Sequence, residues 1–168
     1  MEIIAKVTHS ESRAKEFFRF HLLKKTKGNY LYFGSACAFF IGAIILFVLM
    51  QIYYALFLSF IGVMVLVIRV VQANMTVSRI LKKVTFPSYV YLLKFYEDKI
   101  IYQIDTQQKI YNYQQLYGIC ETIDYMYFYT SPNQALILSK YVLEKTDREK
   151  LTAFLKQFKG QYRYYRFK

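Results

Sequence analysis

The chain has 168 residues and a formal net charge of +12, and its apolar residues are concentrated in one stretch. From Tyr30 to Val71 the only charged residue is Arg69 and the only side-chain amide is Gln51. One membrane crossing takes about 20 helical residues, so the stretch is too long for a single crossing and fits two. It also begins too late and runs too long for a cleaved signal peptide. The alternative, a soluble protein with a buried hairpin, is disfavoured because a small domain cannot easily cover two helices that are apolar all round.

The N-terminal segment, residues 1–29, is predicted to hold a short strand and an amphipathic helix. IIAKV at 3–7 has the alternation of a strand, and T-H-S-E from Thr8 to Glu11 matches the capping box that starts a helix. Apolar residues then follow at helical spacing. The helix either lies along a membrane interface or packs on the soluble domain, and the sequence leaves both open.

Two transmembrane helices are predicted, at residues 30–50 and 51–71. Gln51 lies near the middle of the apolar stretch, so we expect a tight external turn there, with Tyr53 and Tyr54 at the outer interface. Small residues lie on one face of each predicted helix: Gly34, Ala38 and Gly42 in the first, and Ala55, Ser59 and Gly62 in the second. Such faces let helices approach closely, either within an antiparallel hairpin or between two copies of the chain.

Basic residues flank both ends of the apolar stretch, and the segment around Gln51 carries no charge. Lysine and arginine favour the cytoplasmic side, so both termini are predicted to be cytoplasmic. Anionic lipid headgroups are the expected partners of these flanks. The predicted membrane-anchoring residues are Lys24, Lys25, Lys27, Arg69, Arg79, Lys82 and Lys83.

Residues 72–168 are predicted to form a cytoplasmic β domain that ends in a helix. A helical continuation at 72–87 should end before Pro87. Six strands are then predicted from alternating β-branched and aromatic residues between polar turns, at 88–96, 100–105, 109–113, 116–122, 123–131 and 134–142. Tyr125, Tyr127 and Tyr129 should share one packed sheet face.

A C-terminal helix is predicted at about 147–159. Thr146 begins a second capping box, an apolar stripe follows at helical spacing, and Gly160 stands where a C-terminal cap would lie. The basic, aromatic tail QYRYYRFK either touches headgroups or adds an edge strand.

One strand before the apolar helices, six strands after them and a closing helix make up the element list of a pleckstrin-homology-like fold. The fold class predicted is therefore an α+β membrane protein, with a two-helix transmembrane hairpin inserted in a small antiparallel β-barrel or sandwich. FRFHLLKK at 18–25, FYEDKIIY at 95–102, YNYQQLYGICETIDYMYFY at 111–129 and ALILSKYVL at 135–143 resemble the YcxB-like proteins of bacteria. That resemblance implies a bacterial inner-membrane protein with a double-spanning anchor and a cytoplasmic domain of this kind. It brings no catalytic residues, and serine at Ser139 departs from the proline expected there.

No catalytic, metal-binding or cofactor-binding pattern is predicted, so the chain is not expected to be an enzyme. The close acidic pairs Glu97–Asp98 and Glu121/Asp124 are interpreted as turn and strand-break residues rather than a paired-carboxylate site. Cys37 and Cys120 are interpreted as small apolar residues.

The function predicted is a non-catalytic inner-membrane protein that presents an interaction module at the cytoplasmic face. A protein partner or a second copy of the chain is expected there. Two alternatives are a membrane-associated immunity, self-protection or envelope-stress protein, and a membrane-tethered nucleic-acid binder. The second is disfavoured, because the positive charge clusters at the predicted helices, where the positive-inside rule already accounts for it.

Overall fold

The computed structural model describes residues 2–26, 28–83 and 89–167, and within them the chain is an α+β protein with eight strands and four α-helices. It divides into two compact units. The β unit comprises Met1–Phe17 and Phe86–Lys168, and the hairpin unit comprises Phe18–Thr85. Each unit is built by a different hydrophobic pattern, and each is described by itself below.

The β unit contains two four-stranded sheets. The first has the order β1-β2-β3-β4 and is antiparallel throughout, with strands at Ile3–His9, Tyr89–Phe95, Lys99–Ile104 and Gln107–Asn112. The second has the order β7-β6-β5-β8, with β5 at Gly118–Glu121, β6 at Tyr125–Ser131, β7 at Gln134–Ser139 and β8 at Tyr162–Tyr164. All pairs in the second sheet are antiparallel except β5 and β8, which are parallel. The seven strands predicted before the tail are thus all present, and the tail adds an edge strand.

The strands do not close into a barrel among the described residues, which corrects the barrel form of the prediction. A 3₁₀ turn at Tyr113–Gln115 separates β4 from β5. Both edges of β5 are then occupied, one by β6 and the other by β8, so β4 has no free edge of β5 to pair with. The β unit is therefore two open sheets around a shared core.

The core lies between the two sheets and takes alternate residues from β1 and β2. In β1 the inward residues Ile3, Ala5 and Val7 are at most 2% exposed, as period-two alternation predicts. The rings of Phe95 and Phe128, one from each sheet, lie 5.3 Å apart. This contact joins the sheets through apolar packing rather than through backbone hydrogen bonds.

The tyrosine face of β6 is buried as well. Tyr127 and Tyr129 are 1% and 0% exposed. Helix α1, Glu11–Phe20, places Phe17 against both rings at centroid distances of 5.6 and 5.9 Å. The sequence left two locations open for this helix, the membrane interface and the surface of the β domain. The Phe17 face of the helix packs on the β domain.

Helix α4, Lys145–Leu155, inserts its apolar stripe into the same core. Leu151 and Leu155 are fully buried, and Phe154 and Phe158 contact the ring of Tyr113. The helix begins earlier and ends earlier than predicted, so Phe158 contacts Tyr113 from beyond the last residue of the helix.

Both predicted capping boxes are wrong. Thr8 lies inside β1, where it pairs with Val90, and α1 begins only at Glu11. Thr146 lies within α4, whose N-cap residue is Glu144 and makes no side-chain capping hydrogen bond. Gly160 is likewise not the C-cap, which is Lys156. In each case the surrounding strand pairing or packing, rather than the local capping motif, sets where the helix begins or ends.

The hairpin unit is built from two long apolar helices. A π-helical turn, His21–Lys25, precedes α2 at Gly28–Val48, and α3 runs from Ile52 to Lys83. Both helices are long and apolar enough to cross a membrane by length and composition. At about 1.5 Å per residue, the 32 residues of α3 extend about 48 Å. Helix α3 thus continues well past Val71, as the predicted helical continuation requires, while Pro87 lies outside the described residues.

The turn between the helices lies at Leu49–Gln51. Met50 has a φ of 59°, the left-handed conformation typical of a residue that ends a helix. Gln51 N–H donates to the Leu46 carbonyl at 2.9 Å, and the Gln51 carbonyl accepts from Ala55 N–H at 3.0 Å. The backbone groups of Gln51 therefore close one helix and open the next.

The two helices meet through small residues, but only partly through those predicted. Ala55 and Gly62 of α3 are buried, as expected for its small face. On α2 the buried small residues are Ala36 and Ala43. A Cβ added at Gly62 would lie 3.2 Å from the Phe40 ring, whereas one at Gly34 would meet nothing within 4 Å. Of the predicted small face of α2, Gly34 and Ala38 are exposed, whereas Gly42 lies against α3, where an added Cβ would be 2.8 Å from the Leu58 side chain.

Two buried tyrosines of the β unit allow a matched test of its core. The Tyr91 hydroxyl donates to the Ile137 carbonyl at 2.6 Å, whereas the Tyr113 hydroxyl is buried without a hydrogen-bond partner among the described residues. Tyr91→Phe should lower the free energy of unfolding by about 1–3 kcal/mol, because it leaves a buried carbonyl unpaired. Tyr113→Phe should leave it unchanged or raise it by about 1 kcal/mol. Guanidinium unfolding of the full chain in detergent, followed by tyrosine circular dichroism, measures both, and an equal loss for the two variants would contradict this account.

Candidate functional site: a buried ion pair beside a cleft of the β unit

The most chemically distinctive group in the β unit is an ion pair between Glu121 and Lys140. Lys140 Nζ lies 2.5 Å from Glu121 Oε1, and the two side chains are only 10% and 7% exposed. Glu121 ends β5 and Lys140 directly follows β7. Since both strands pair with β6, its two flanking ladders bring these residues together across 19 positions of sequence.

The tail strand β8 completes this ion pair. It pairs in parallel with β5, which places Tyr162 beside Ile119 and Tyr164 beside Glu121. The Tyr162 hydroxyl donates to Glu121 Oε2, and the Lys140 ammonium lies 5.9 Å from the centre of the Tyr164 ring. Burial, together with the hydrogen bond to Glu121, raises the pKa of Tyr162 above its usual range. Tyr162 is therefore a protonated donor at neutral pH, and both Glu121 oxygens have a partner.

A cleft opens beside the ion pair, along the outward face of α4. Its volume is about 470 Å³. The lining residues come from the ends of β5 and β7 and from α4, and they are Glu121, Ile123, Lys140, Arg148, Glu149, Thr152, Ala153 and Lys156. Ammonium, guanidinium and hydroxyl donors thus face one cavity together with two apolar side chains. Such a lining is suited to binding a ligand that has an anionic group and a small apolar part.

The two acidic pairs noted in the sequence do not form paired-carboxylate sites here. Asp124 accepts a hydrogen bond from the Tyr141 hydroxyl at 2.6 Å, while its sequence neighbour Glu121 is held by Lys140. Asp98 lies 3.8 Å from Lys99 in an exposed contact. Among the residues that the structure describes, no group of three or more His, Cys, Asp or Glu side chains is placed to hold a metal ion.

The predicted membrane-anchoring residues lie on the hairpin unit, in three different settings. Lys24 and Lys25 end the π-helical turn, and Lys27 lies outside the described residues. Arg79, Lys82 and Lys83 lie in the last turns of α3, and Arg79 and Lys82 line one shallow depression of about 430 Å³ with Ser78. Tyr53 and Tyr54 lie in the first turn of α3 and are 88% and 63% exposed. None of these residues belongs to the cleft of the β unit.

Arg69 has partners that the sequence did not reveal. Its guanidinium donates to the Leu22 carbonyl at 2.6 Å and to Asn29 Oδ1 at 2.7 Å, and it lies 5.4 Å from the Tyr32 ring centre. The Tyr32 hydroxyl in turn donates to Gln72 Oε1 at 2.7 Å. Arg69, which lies within α3, therefore joins this helix to the π-helical turn and the start of α2.

Sequence reasoning missed the Glu121–Lys140 pair and the contribution of Tyr162. Glu121 was considered only with its near neighbour Asp124. One available signal was the position of a carboxylate at the end of GICE, an otherwise apolar strand, since a buried carboxylate requires a partner. The identity of that partner depends on strand register, which the local pattern does not give.

Removing one member of the pair tests how strongly the two charges are coupled. Lys140→Met should lower the free energy of unfolding by about 3–5 kcal/mol, because it leaves the Glu121 carboxylate buried without a counter-ion. The double variant Lys140→Met, Glu121→Leu should be more stable than Lys140→Met alone. Lys99→Met is the control, since the exposed Lys99–Asp98 contact should be worth less than about 1 kcal/mol. Guanidinium unfolding of the wild type, Lys140→Met, Glu121→Leu, the double variant and Lys99→Met measures these differences, and additive losses in the double variant would rule out the coupling.

Comparison with known proteins bears on the segment that contains this site. Residues 95–155 match the model of the YcxB-like protein family. Comparisons with curated proteins and with solved structures gave no match. The matched segment runs from the end of β2 to the end of α4 and includes Glu121 and Lys140, whereas α2, α3 and β8 lie outside it. The match confirms, over residues 95–155, the resemblance to the YcxB-like family seen in the sequence.

Proposed function

We propose that the protein is a non-catalytic, membrane-anchored binding module, with the hairpin crossing the bacterial inner membrane and the β unit at the cytoplasmic face. One observation supports the membrane anchor: large apolar side chains of α2 and α3 point outward. Leu31, Phe47 and Phe57 are 79%, 63% and 61% exposed. An exposed apolar surface that covers α2 and the part of α3 up to Val71 is stable in hydrocarbon and not in water.

The distribution of charge supports the orientation with both termini in the cytoplasm. The turn at Leu49–Gln51 is uncharged, whereas basic residues lie at the opposite ends of both helices. Each basic residue near an anionic surface contributes about 1 kcal/mol of attraction. Lys24 and Lys25 would then lie at the headgroups of the cytoplasmic leaflet, and Arg79 and Lys82 would lie further along α3 on the cytoplasmic side.

The order of elements in the β unit supports a pleckstrin-homology-like assignment. Strands β1 to β4 form one sheet, β5 to β7 belong to the other, and α4 follows β7 and inserts Leu151 and Leu155 into the core between them. Strand β8 is an addition at the edge of the second sheet. Domains of this kind are binding modules, which is the role we propose for the β unit.

The state of the buried ion pair favours binding over catalysis. Both Glu121 oxygens are engaged, by Lys140 and by Tyr162. A general acid or base must instead reach a substrate proton, and a nucleophile needs an adjacent base. The pair is accordingly assigned a structural role at the wall of the cleft.

Labelling of the turn tests the proposed topology. In a chain with Cys37→Ala and Cys120→Ala, a cysteine at Gln51 should react with a membrane-impermeant maleimide in intact cells, because the turn lies outside. A cysteine at Lys82 should react only after permeabilisation. The two sites are both exposed and differ only in the end of α3 at which they lie. Reaction of Lys82→Cys but not Gln51→Cys in intact cells would invert the topology, and reaction of neither before permeabilisation would contradict the external turn.

Nucleic-acid binding is the alternative that the net charge of +12 raises, and it can be tested directly. The full chain, held in nanodiscs that contain anionic lipid, should not retard labelled single-stranded RNA or DNA in a gel at physiological salt. The physical reason is that its positive charge is concentrated at the helix ends, where lipid headgroups engage it. Tight retardation that weakens steeply with added salt would favour the nucleic-acid function instead.

A further inference from the structure

The cleft beside α4 has donors that no described residue uses. Among the described residues, neither Arg148 nor Lys156 is paired with a carboxylate. Both side chains line the cleft. Two cationic groups that share a cavity and lack an internal partner are suited to an external anion.

The Glu121 carboxylate at the floor of the cleft does not repel a bound anion, because its charge is neutralised within the protein. Glu121 is 5% exposed, and its charge is offset by Lys140 at 2.5 Å and by the Tyr162 hydroxyl. The remaining acidic residue of the lining, Glu149, lies at the exposed rim, where water screens it. The lining as a whole carries three basic and two acidic residues, which leaves a net positive charge.

The arrangement along α4 places the free donors in one row. Arg148, Thr152 and Lys156 are spaced four residues apart, so they lie on the same face of the helix. A guanidinium, a hydroxyl and an ammonium therefore point into one cavity, with the Lys140 ammonium at its floor. Ile123 and Ala153 add apolar surface beside them.

We propose that this cleft is a binding site for a phosphate group carried by a small molecule or a lipid headgroup. Two basic groups without an internal carboxylate partner and a hydroxyl match the several acceptor oxygens of a phosphate better than the two oxygens of a carboxylate. Arg148 and Lys156 hold the phosphate, Thr152 donates to it, and Ile123 contacts the carbon part of the ligand. The proposal rests on the role of the β unit as a binding module and does not depend on the orientation of the hairpin.

Binding is measured on the full chain, with ¹⁵N-labelled arginine side chains, in phosphatidylcholine nanodiscs. The soluble probe is glycerol 3-phosphate, titrated against chloride at constant ionic strength. The lipid probe is phosphatidic acid, added to the same nanodiscs as about a tenth of the lipid. The readout is the Nε–H signal of Arg148. Lys156→Gln is the test variant, and Lys150→Gln is the charge-matched control, since Lys150 is exposed on the same helix but does not line the cleft.

A saturable shift of the Arg148 signal with glycerol 3-phosphate is expected if the natural ligand is a soluble phosphate compound. A shift with phosphatidic acid alone is expected if it is a headgroup. In either case Lys156→Gln should weaken binding about tenfold, and Lys150→Gln should leave it unchanged. Both positions are exposed, so neither change should disturb the fold. The proposal is overturned if neither probe shifts Arg148, or if Lys150→Gln weakens binding as much as Lys156→Gln, and either result would leave the topology assigned by labelling at residue 51 intact.

Discussion

The pairing of β1 with β2 is the constraint on which the rest of the molecule depends. Seven residue pairs, from Ile3 with Phe95 to His9 with Tyr89, join two segments that are far apart in sequence. All of α2 and α3 is contained in the connection between these strands. The entropic cost of closing a connection rises only slowly with its length, so a long helical insertion between two paired strands is tolerated. The same ladder delivers Ile3, Ala5 and Val7 to the core and thereby makes the N-terminus part of the β unit.

The second sheet depends on burial of both its faces. Phe128 turns inward to Phe95, while Tyr127 and Tyr129 turn outward and are covered by Phe17. This is why β5 and the middle of β6 are buried without alternation, and why a carboxylate at Glu121 needs both Lys140 and Tyr162. The tail strand therefore does more than extend the edge of the sheet. Its Tyr162 hydroxyl donates a hydrogen bond to the buried Glu121 carboxylate, which would otherwise lack one of its partners in an apolar environment.

Features that depend on residues close together in the sequence could be predicted, whereas features that depend on distant residues could not. Period-two alternation is local, and it predicted six consecutive strands from residue 88 onward. The capping boxes at Thr8 and Thr146 are also local, but tertiary packing overrode them, since Thr8 was needed in the β1 ladder. Lys140 with Glu121 could not be predicted, because their contact depends on the register of two ladders. The burial of Ala36 and Ala43 on α2 depends on the shape of a partner helix, which small-residue spacing alone does not specify.

Arg69 shows how a single charge can end an apolar segment without ending the helix that carries it. Its guanidinium is held by the Leu22 carbonyl and Asn29, so the charge is satisfied by protein rather than left in an apolar surrounding. Helix α3 then continues to Lys83 and carries the basic residues of its last turns on a rigid element. In the proposed topology, the membrane boundary therefore falls within α3 at the Arg69 network. The apolar stretch of the sequence and the helices of the structure end at different residues because hydrocarbon thickness limits the first and backbone hydrogen bonding limits the second.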